Sequence, residues 1–198
     1  MSLRYFLPVF LFGYVIAAFV WRSYIVWKRT GINPIVFKRS DNAHDFIGRI
    51  SKLLLALFAA VVIIYSFVPS AYQYLTPIPW LDHAWIKPIA VVLMIASLVW
   101  TVLAQMQMGE SWRIGIDSER KTRLIETGVF RISRNPIYVG IVVTQLGLFL
   151  AIPNAVTLLT LVLGVVLMNI QVRLEEEYLA TMHGDEYAGY TKRVRRWI

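Results

Sequence analysis

The sequence predicts an all-α integral membrane protein with about five transmembrane helices. Of its 198 residues, 58% are hydrophobic and 16% are charged, and the mean hydropathy is +0.59. These values lie outside the range of soluble globular domains. Five apolar runs are separated by polar loops, and eighteen of the twenty Lys and Arg residues fall in alternate loops. Together, the runs and the charge pattern indicate a chain that crosses a bilayer repeatedly.

The five apolar runs define the predicted helices. A helix rises about 1.5 Å per residue, so about 20 residues are needed to cross about 30 Å of hydrocarbon. The third run is long enough by itself, whereas the others need flanking residues or a thinned bilayer. We expect the first run to be a retained anchor, because it has bulky aromatic residues and no small-x-small cleavage site. The runs cover residues 5–21, 53–68, 85–108, 137–152 and 155–170.

The basic residues predict the orientation of the chain. They are concentrated in loop 22–52, in the loop between the third and fourth runs, and after the fifth run. Connection 69–84 has prolines and aromatic residues but no Lys or Arg. The positive-inside bias therefore places the N-terminus outside and the C-terminus in the cytoplasm, most simply in the inner membrane of a cell. The net charge of +8 is then a topology signal that can also attract anionic headgroups, and we expect no nucleic-acid partner.

Several kinds of chemistry are not expected. The chain has no cysteine, so it can form no disulfide, no thiolate metal site and no cysteine nucleophile. His44, His83 and His183 lie far apart without the spacing of metal ligands, so we predict no metal centre.

The last two apolar runs predict a short helical hairpin, followed by a cytoplasmic C-terminal helical segment. Only Pro153-Asn154, a tight-turn signal, joins the two runs. Because the arms are short, their other ends must lie side by side. This brings the Arg134-Asn135-Pro136 step close to residues 173–177.

Both of these ends carry polar side chains that could bind a ligand or take part in a reaction. Asn135-Pro136 is a helix-start signal, and the free N–H groups of such a start favour an anion, for example a carboxylate beside Arg134. Tyr138 and Gly140 follow, and a glycine permits close approach by a ligand or by a neighbouring helix. A capped helix with an interfacial tyrosine is the alternative interpretation.

The fifth helix becomes polar where it leaves the membrane. Asn169, Arg173 and Glu176 recur at spacings of four and three and so share one face. Glutamates 175–177 need cations beside anionic headgroups, and Arg131, Arg134, Arg173 and Arg193 could supply them. The alternative is a helix end whose Arg and Glu side chains extend into the headgroups.

Taken together, these motifs resemble the superfamily of isoprenylcysteine carboxyl methyltransferases and phospholipid methyltransferases. Residues 124–140, LIETGVFRISRNPIYVG, are similar to its LVxxGPYRxxRHPxYxG signature. Residues 175–179 and 184–194 resemble its EExxL and GxEYxxYxxxV patterns, and residues 109–113 resemble its LGxxW/F stretch. The chain departs from the signature at Val129, where the family has proline, and it ends at Trp197-Ile198 without the usual proline.

The resemblance implies methyl transfer from S-adenosyl-L-methionine to a lipid or isoprenoid acceptor at the cytoplasmic face of the bilayer. It implies a methyltransferase core over residues 101–198, preceded by N-terminal helices and a basic loop over residues 1–100. By the same resemblance, Glu176 and Arg193 are the catalytic candidates. The implied cofactor-binding residues are Arg134, Asn135, Pro136 (in a structural role), Tyr138, Gly140, Glu175, Glu176, Tyr187 and Tyr190.

Two other functions are compatible with the sequence. Membrane sterol reductases end in a similar Arg-(His/Asn)-Pro-x-Tyr helix and a tyrosine-rich tail but bind NADPH. The chain has no obvious extra basic cluster for a 2′-phosphate, and five helices rather than many favour methyl transfer. A non-enzymatic membrane subunit that binds lipid would use the same polar residues only to anchor its helix ends.

Overall fold

The computed structural model describes residues 2–36, 42–115 and 123–198, and these ranges are mostly helical. The main helices are α1 (Leu3–Thr30), α2 (Ala43–Phe67), α3 (Ile86–Met108), α4 (Pro136–Ala151), α5 (Ala155–His183) and α6 (Asp185–Arg193). Helices α1, α2, α3 and α5 are long and apolar enough to cross a membrane, and α4 is a shorter apolar helix. The predicted all-α integral membrane fold is therefore confirmed.

Short helices occupy parts of the connections. Pro69–Tyr72, Gln73–Leu75 and Pro79–Leu81 lie between α2 and α3, and Gly109–Ser111 and Gly128–Arg131 lie between α3 and α4. The sequence also predicts a solvated turn at residues 117–123, and all of it except its last residue lies outside the described ranges.

Helices α4 and α5 form the predicted hairpin. Asn154 caps α5, since its Oδ1 accepts hydrogen bonds from the N–H groups of Val156 and Thr157, each at 3.0 Å. Only α4 is a short arm, because α5 stays helical for 29 residues and ends at His183 rather than near residue 170. The added turns carry Gln171, Arg173 and glutamates 175–177, and of these Glu175 and Glu176 have side-chain partners in other elements.

Helix α1 also extends beyond its apolar run. It continues through a π-helical stretch, Ile16–Trp21, and ends at Gly31, whose φ of +68° suits a glycine. The carbonyl of Ala18 accepts a hydrogen bond from Gln105 Nε2 of α3 at 2.9 Å. This bond attaches α1 to α3 within the bundle.

The two ends of the bundle hold different connections. At one end, the N–H of Val36 binds the carbonyl of Ile114 at 3.1 Å, so the first and third loops meet. At the other end, the N–H of Ala155 binds the carbonyl of Thr76 at 3.0 Å, so connection 69–84 meets the hairpin turn. We call the end with the first loop, the third loop and the chain terminus the basic end. The alternation of charged loops predicted this grouping.

Candidate functional site

The two predicted polar motifs meet at the carboxylate of Glu176, whose side chain is 10% exposed. Its Oε1 accepts a hydrogen bond from Asn135 Nδ2 at 2.9 Å, and its Oε2 accepts one from Arg134 Nη2 at 3.2 Å. Arg196 contacts Oε2 through Nε at 3.0 Å and through Nη2 at 2.9 Å. The hydrogen bond to Glu176 raises the pKa of Arg196. This cluster joins the start of α4, the end of α5 and the C-terminal segment.

The backbone after α6 fixes the Arg134-Asn135 step from the other side. The carbonyl of Arg195 accepts from the Arg134 N–H at 3.0 Å. The carbonyl of Arg196 accepts from Asn135 Nδ2 at 3.1 Å and from Ser133 Oγ at 3.3 Å. Ser133 Oγ in turn accepts from the Asn135 N–H at 3.0 Å. The step is therefore held by side chains and by the main chain.

A second polar cluster contains Tyr138, Gln171 and Glu175. The Tyr138 hydroxyl donates a short hydrogen bond to Glu175 Oε1. Gln171 Nε2, one helical turn before Glu175 on α5, donates to the same oxygen at 2.8 Å. All three side chains line one cavity.

That cavity has a volume of about 740 Å³ and lies among all six helices. Pockets that enclose drug-sized ligands have volumes of about 300–1,000 Å³. Near the basic end its wall is polar, and deeper in the bundle its wall becomes apolar. Arg134, Asn135 and Glu175 line the polar part, and Phe10, Leu54 and Phe58 line the apolar part. Such a cavity suits a ligand with one polar and one apolar portion.

Tyr187 and Tyr190 are buried on α6 and line the cavity. The Tyr190 hydroxyl donates to the carbonyl of Phe130 at 2.7 Å and so ties α6 to the segment before α4. The Tyr187 hydroxyl is buried and has no hydrogen-bond partner among the described residues. Burial, followed by the charge of Glu176, raises the pKa of Tyr187 to about 12. Tyr187 is therefore protonated at neutral pH and able to donate a hydrogen bond.

Pro136 and Gly140 hold α4 against α3. Pro136 occupies the first turn of α4, and its carbonyl accepts a hydrogen bond from Trp100 Nε1 at 2.8 Å. A Cβ atom on Gly140 would lie 2.0 Å from Thr101 Oγ1. Of the two roles that the sequence offers for Gly140, close approach of a neighbouring helix matches these surroundings.

Two predicted cations lie apart from the Glu176 cluster. Arg193, whose side chain is 61% exposed, contacts Glu126 Oε2 at 2.6 Å and so joins α6 to a segment that lines the cavity. Arg173 is exposed and donates to the carbonyl of Asn169 on its own helix at 2.7 Å. Asn169 and Arg173 thus contact each other, while the neighbouring Glu176 turns inward.

Three residues of the site were not predicted from the sequence: Gln171, Ser133 and Arg196. Gln171 could have been found from its spacing of four before Glu175. Ser133 Oγ and the guanidinium and carbonyl of Arg196 reach the site through tertiary contacts, for which the sequence carries no signal. Trp112, in the stretch 109–113 that resembles the family's LGxxW/F pattern, is 2% exposed and lines the cavity.

The fold and the site define an all-α integral membrane protein with a cavity that runs from a polar end to an apolar depth. Residues 86–186, about half of the chain, match the sequence model of the phospholipid methyltransferase family. The chain belongs to this family, and membership implies a membrane methyltransferase. Among curated proteins, none is similar enough to the chain to count as a match.

Proposed function

We propose that this protein transfers a methyl group from S-adenosyl-L-methionine to a lipid or isoprenoid acceptor. One observation carries the proposal: a single cavity connects the polar cluster around Arg134 and Glu175 with an apolar section between α1 and α2. A charged cofactor and an amphiphilic acceptor could then occupy adjacent parts of one enclosed space.

The polar end of the cavity offers groups that fit such a cofactor. Arg134 Nε, Gln171 Oε1 and the Tyr187 hydroxyl are buried and have no partner among the described residues. A guanidinium suits the cofactor's carboxylate, and the Glu175 carboxylate suits its ribose hydroxyls or its ammonium group. The side chains of Arg134, Gln171 and Tyr187 all line the cavity, so they can present hydrogen-bonding groups to a ligand there.

The chemistry requires positioning and electrostatics rather than an activated nucleophile on the protein. The bound cofactor supplies an electrophilic methyl group on a sulfonium. Arg134 and Asn135 orient the ligand because Glu176 holds both of their side chains, so we assign Glu176 a positioning role. Arg193, which contacts Glu126, positions the segment before α4. The carboxylate of Glu175 stabilises positive charge inside the cavity.

We place the basic end in the cytoplasm, with the N-terminus outside and the protein in the inner membrane of the cell. The positive-inside bias supports this orientation, because the basic loops share one end of the bundle. Anionic headgroups on that side would also be attracted to the same basic loops.

The test is binding of S-adenosylhomocysteine to the purified protein in detergent, measured by calorimetry and by thermal shift. We expect binding by the wild type, an at least tenfold weaker affinity in Glu175→Gln, and wild-type affinity in the control Glu177→Gln, because Glu177 is exposed. No affinity at millimolar cofactor would contradict the proposal. Binding of NADPH instead would indicate the reductase. Labelled S-adenosylmethionine added with total membrane lipid would then identify the acceptor.

A further inference from the structure

The cavity reaches the lipid-facing surface of the bundle between α1 and α2. Among the described helical residues that line the cavity, the exposed ones belong to these two helices: Val20 of α1, and Lys52 and Leu55 of α2. Val20 is 59% exposed and Leu55 is 42% exposed. Residues that line a cavity and are also exposed mark its opening, so the cavity opens on this side.

The packing of the core accounts for the gap between the two helices. Far from the basic end, Phe10 of α1 shares one apolar cluster with Phe58 and Val61 of α2. Nearer the basic end, Leu54 of α2 packs in a second cluster with Met168 of α5, and no described residue of α1 belongs to that cluster. In this half of the bundle the core of α2 therefore packs on α5 rather than on α1.

An outer groove continues the gap along the surface of α1 and α2. It has a volume of about 290 Å³, and all of its lining residues are apolar and belong to these two helices. Phe12 and Ile63 lie in its wall and are 70% and 50% exposed. Leu11, Val15 and Leu55 line both the groove and the cavity. The two spaces are therefore neighbours that share a wall of aliphatic side chains.

Lys52 places a cation at the rim of the opening. It directly precedes the apolar run 53–68, so its ammonium group can extend to the headgroups at the basic end. Lys52 makes no ion pair with another described residue. The opening thus combines apolar walls at Val20 and Leu55 with a positive charge, and a bilayer lipid combines an apolar chain with a phosphate.

We propose that a lipid of the adjacent leaflet binds across this opening. Its apolar chain passes Leu55 into the cavity, and its phosphate contacts Lys52. The inference rests on the proposed function, because this lipid is the acceptor, and it adds the place at which the acceptor binds from the side. Helices α1 and α2 lie outside residues 86–186, which match the family, so the opening belongs to the N-terminal helices of this chain.

The experiment compares two lipids that differ only in the phosphate: oleoyl lysophosphatidate and monooleoylglycerol. Their dissociation constants are measured by thermal shift on the purified full-length protein in a nonionic detergent. We expect the wild type to bind the lysophosphatidate about tenfold more tightly, the ratio given by one charge-assisted contact. Lys52→Gln removes this preference but retains binding of monooleoylglycerol. Lys28→Gln, at an exposed position on α1 that does not line the cavity, is the matched control and keeps the preference.

Leu55→Trp tests the apolar part of the opening. A larger side chain at this position obstructs the passage, so both lipids bind at least about tenfold more weakly. Leu53→Trp is the matched control, because Leu53 is 63% exposed on the same helix and does not line the cavity. Wild-type affinity in Leu55→Trp, equal weakening in Leu53→Trp, or a preference that persists in Lys52→Gln overturns the inference.

If Leu55→Trp does not fold, the opening can be blocked after folding. The chain has no cysteine, so Leu55→Cys and Leu53→Cys each provide a single reactive thiol. Reaction with pyrene maleimide attaches a bulky ring system at either position. We expect labelled Leu55→Cys to lose lipid binding and labelled Leu53→Cys to retain it, and equal affinities of the two labelled variants overturn the inference.

Binding of S-adenosylhomocysteine, measured on the same samples, keeps the two proposals distinguishable. A wild type that shows the expected lipid binding without binding the cofactor product retains the lateral opening and contradicts the methyltransferase proposal. A wild type that binds the cofactor product but neither lipid contradicts the lateral opening alone.

Discussion

Three consecutive glutamates on α5 have three different surroundings. Successive residues of a helix point about 100° apart. Glu175 therefore faces the cavity beside Tyr138, Glu176 lies under the Arg134-Asn135 step, and Glu177 is exposed. Adjacent positions of the same residue type thus provide internal controls for one another.

Glu176→Gln is expected to destabilise the protein. The substitution keeps the shape of the side chain but removes the charge that Arg134 and Arg196 share. Leaving buried charged groups poorly paired costs about 1–3 kcal/mol or more. Thermal unfolding in detergent measures the loss. Glu177→Gln is the control and should stay within about 0.5 kcal/mol of the wild type. Equal stability of the two variants would show that Glu176 does not hold the cluster together.

Tyr187→Phe is expected to weaken ligand binding without a loss of stability, and Tyr190→Phe is expected to lower stability with little effect on binding. Tyr187 has an unpaired hydroxyl, so its removal leaves stability unchanged while binding of S-adenosylhomocysteine weakens. Tyr190 donates to the carbonyl of Phe130, so its removal costs about 1 kcal/mol of stability and leaves binding nearly unchanged. Calorimetry and thermal unfolding of both variants test the pair. Weaker binding in Tyr190→Phe alone would reverse these assignments.

At the scale of elements, the five apolar helices and the start of α4 could be predicted, because apolar runs and the Asn135-Pro136 signal are local. The full length of α1 could not. In the sequence, Arg22 directly follows the first apolar run and therefore suggests that the helix ends there. In the structure, Arg22 is 7% exposed and donates to the carbonyl of Gly109. Its guanidinium also lies 5.9 Å from the centre of the Trp112 ring. Both partners are distant in the chain, so no local pattern reveals that the helix continues.

The packing of α4 against α3 leads to a prediction about Gly140. Gly140→Ala places a methyl group where Thr101 Oγ1 lies, and overpacking of this kind costs about 1–3 kcal/mol. Thr101→Ala, introduced in the same chain, removes the nearest contact and should restore much of the stability. Gly13→Ala is the control, because nothing lies within 4 Å of a Cβ at Gly13. Thermal unfolding reports all three effects, and an unaffected Gly140→Ala would mean that α3 and α4 pack less closely.

At the scale of the whole molecule, the sequence predicts that the Arg134-Asn135 step and the end of α5 lie close together, but it predicts the shape and the lining of the cavity less well. The tight Pro153-Asn154 turn is enough to bring Arg134 close to Glu176. The contributions of α1 and α2 to the cavity, such as Phe10 and Phe58, follow from tertiary packing that no motif encodes. The division into residues 1–100 and 101–198 remains a prediction, although both parts line the cavity.

The orientation of the whole bundle can be tested because the chain has no cysteine. Tyr74, which is 81% exposed, lies in the connection between α2 and α3, and Glu186, whose side chain is 65% exposed, lies at the basic end. With the basic end in the cytoplasm, a membrane-impermeant maleimide labels Tyr74→Cys in intact cells and labels Glu186→Cys only after lysis. The unmodified chain gives the background signal. The reverse pattern would place the basic end outside, where eighteen of twenty cationic side chains would oppose the positive-inside bias.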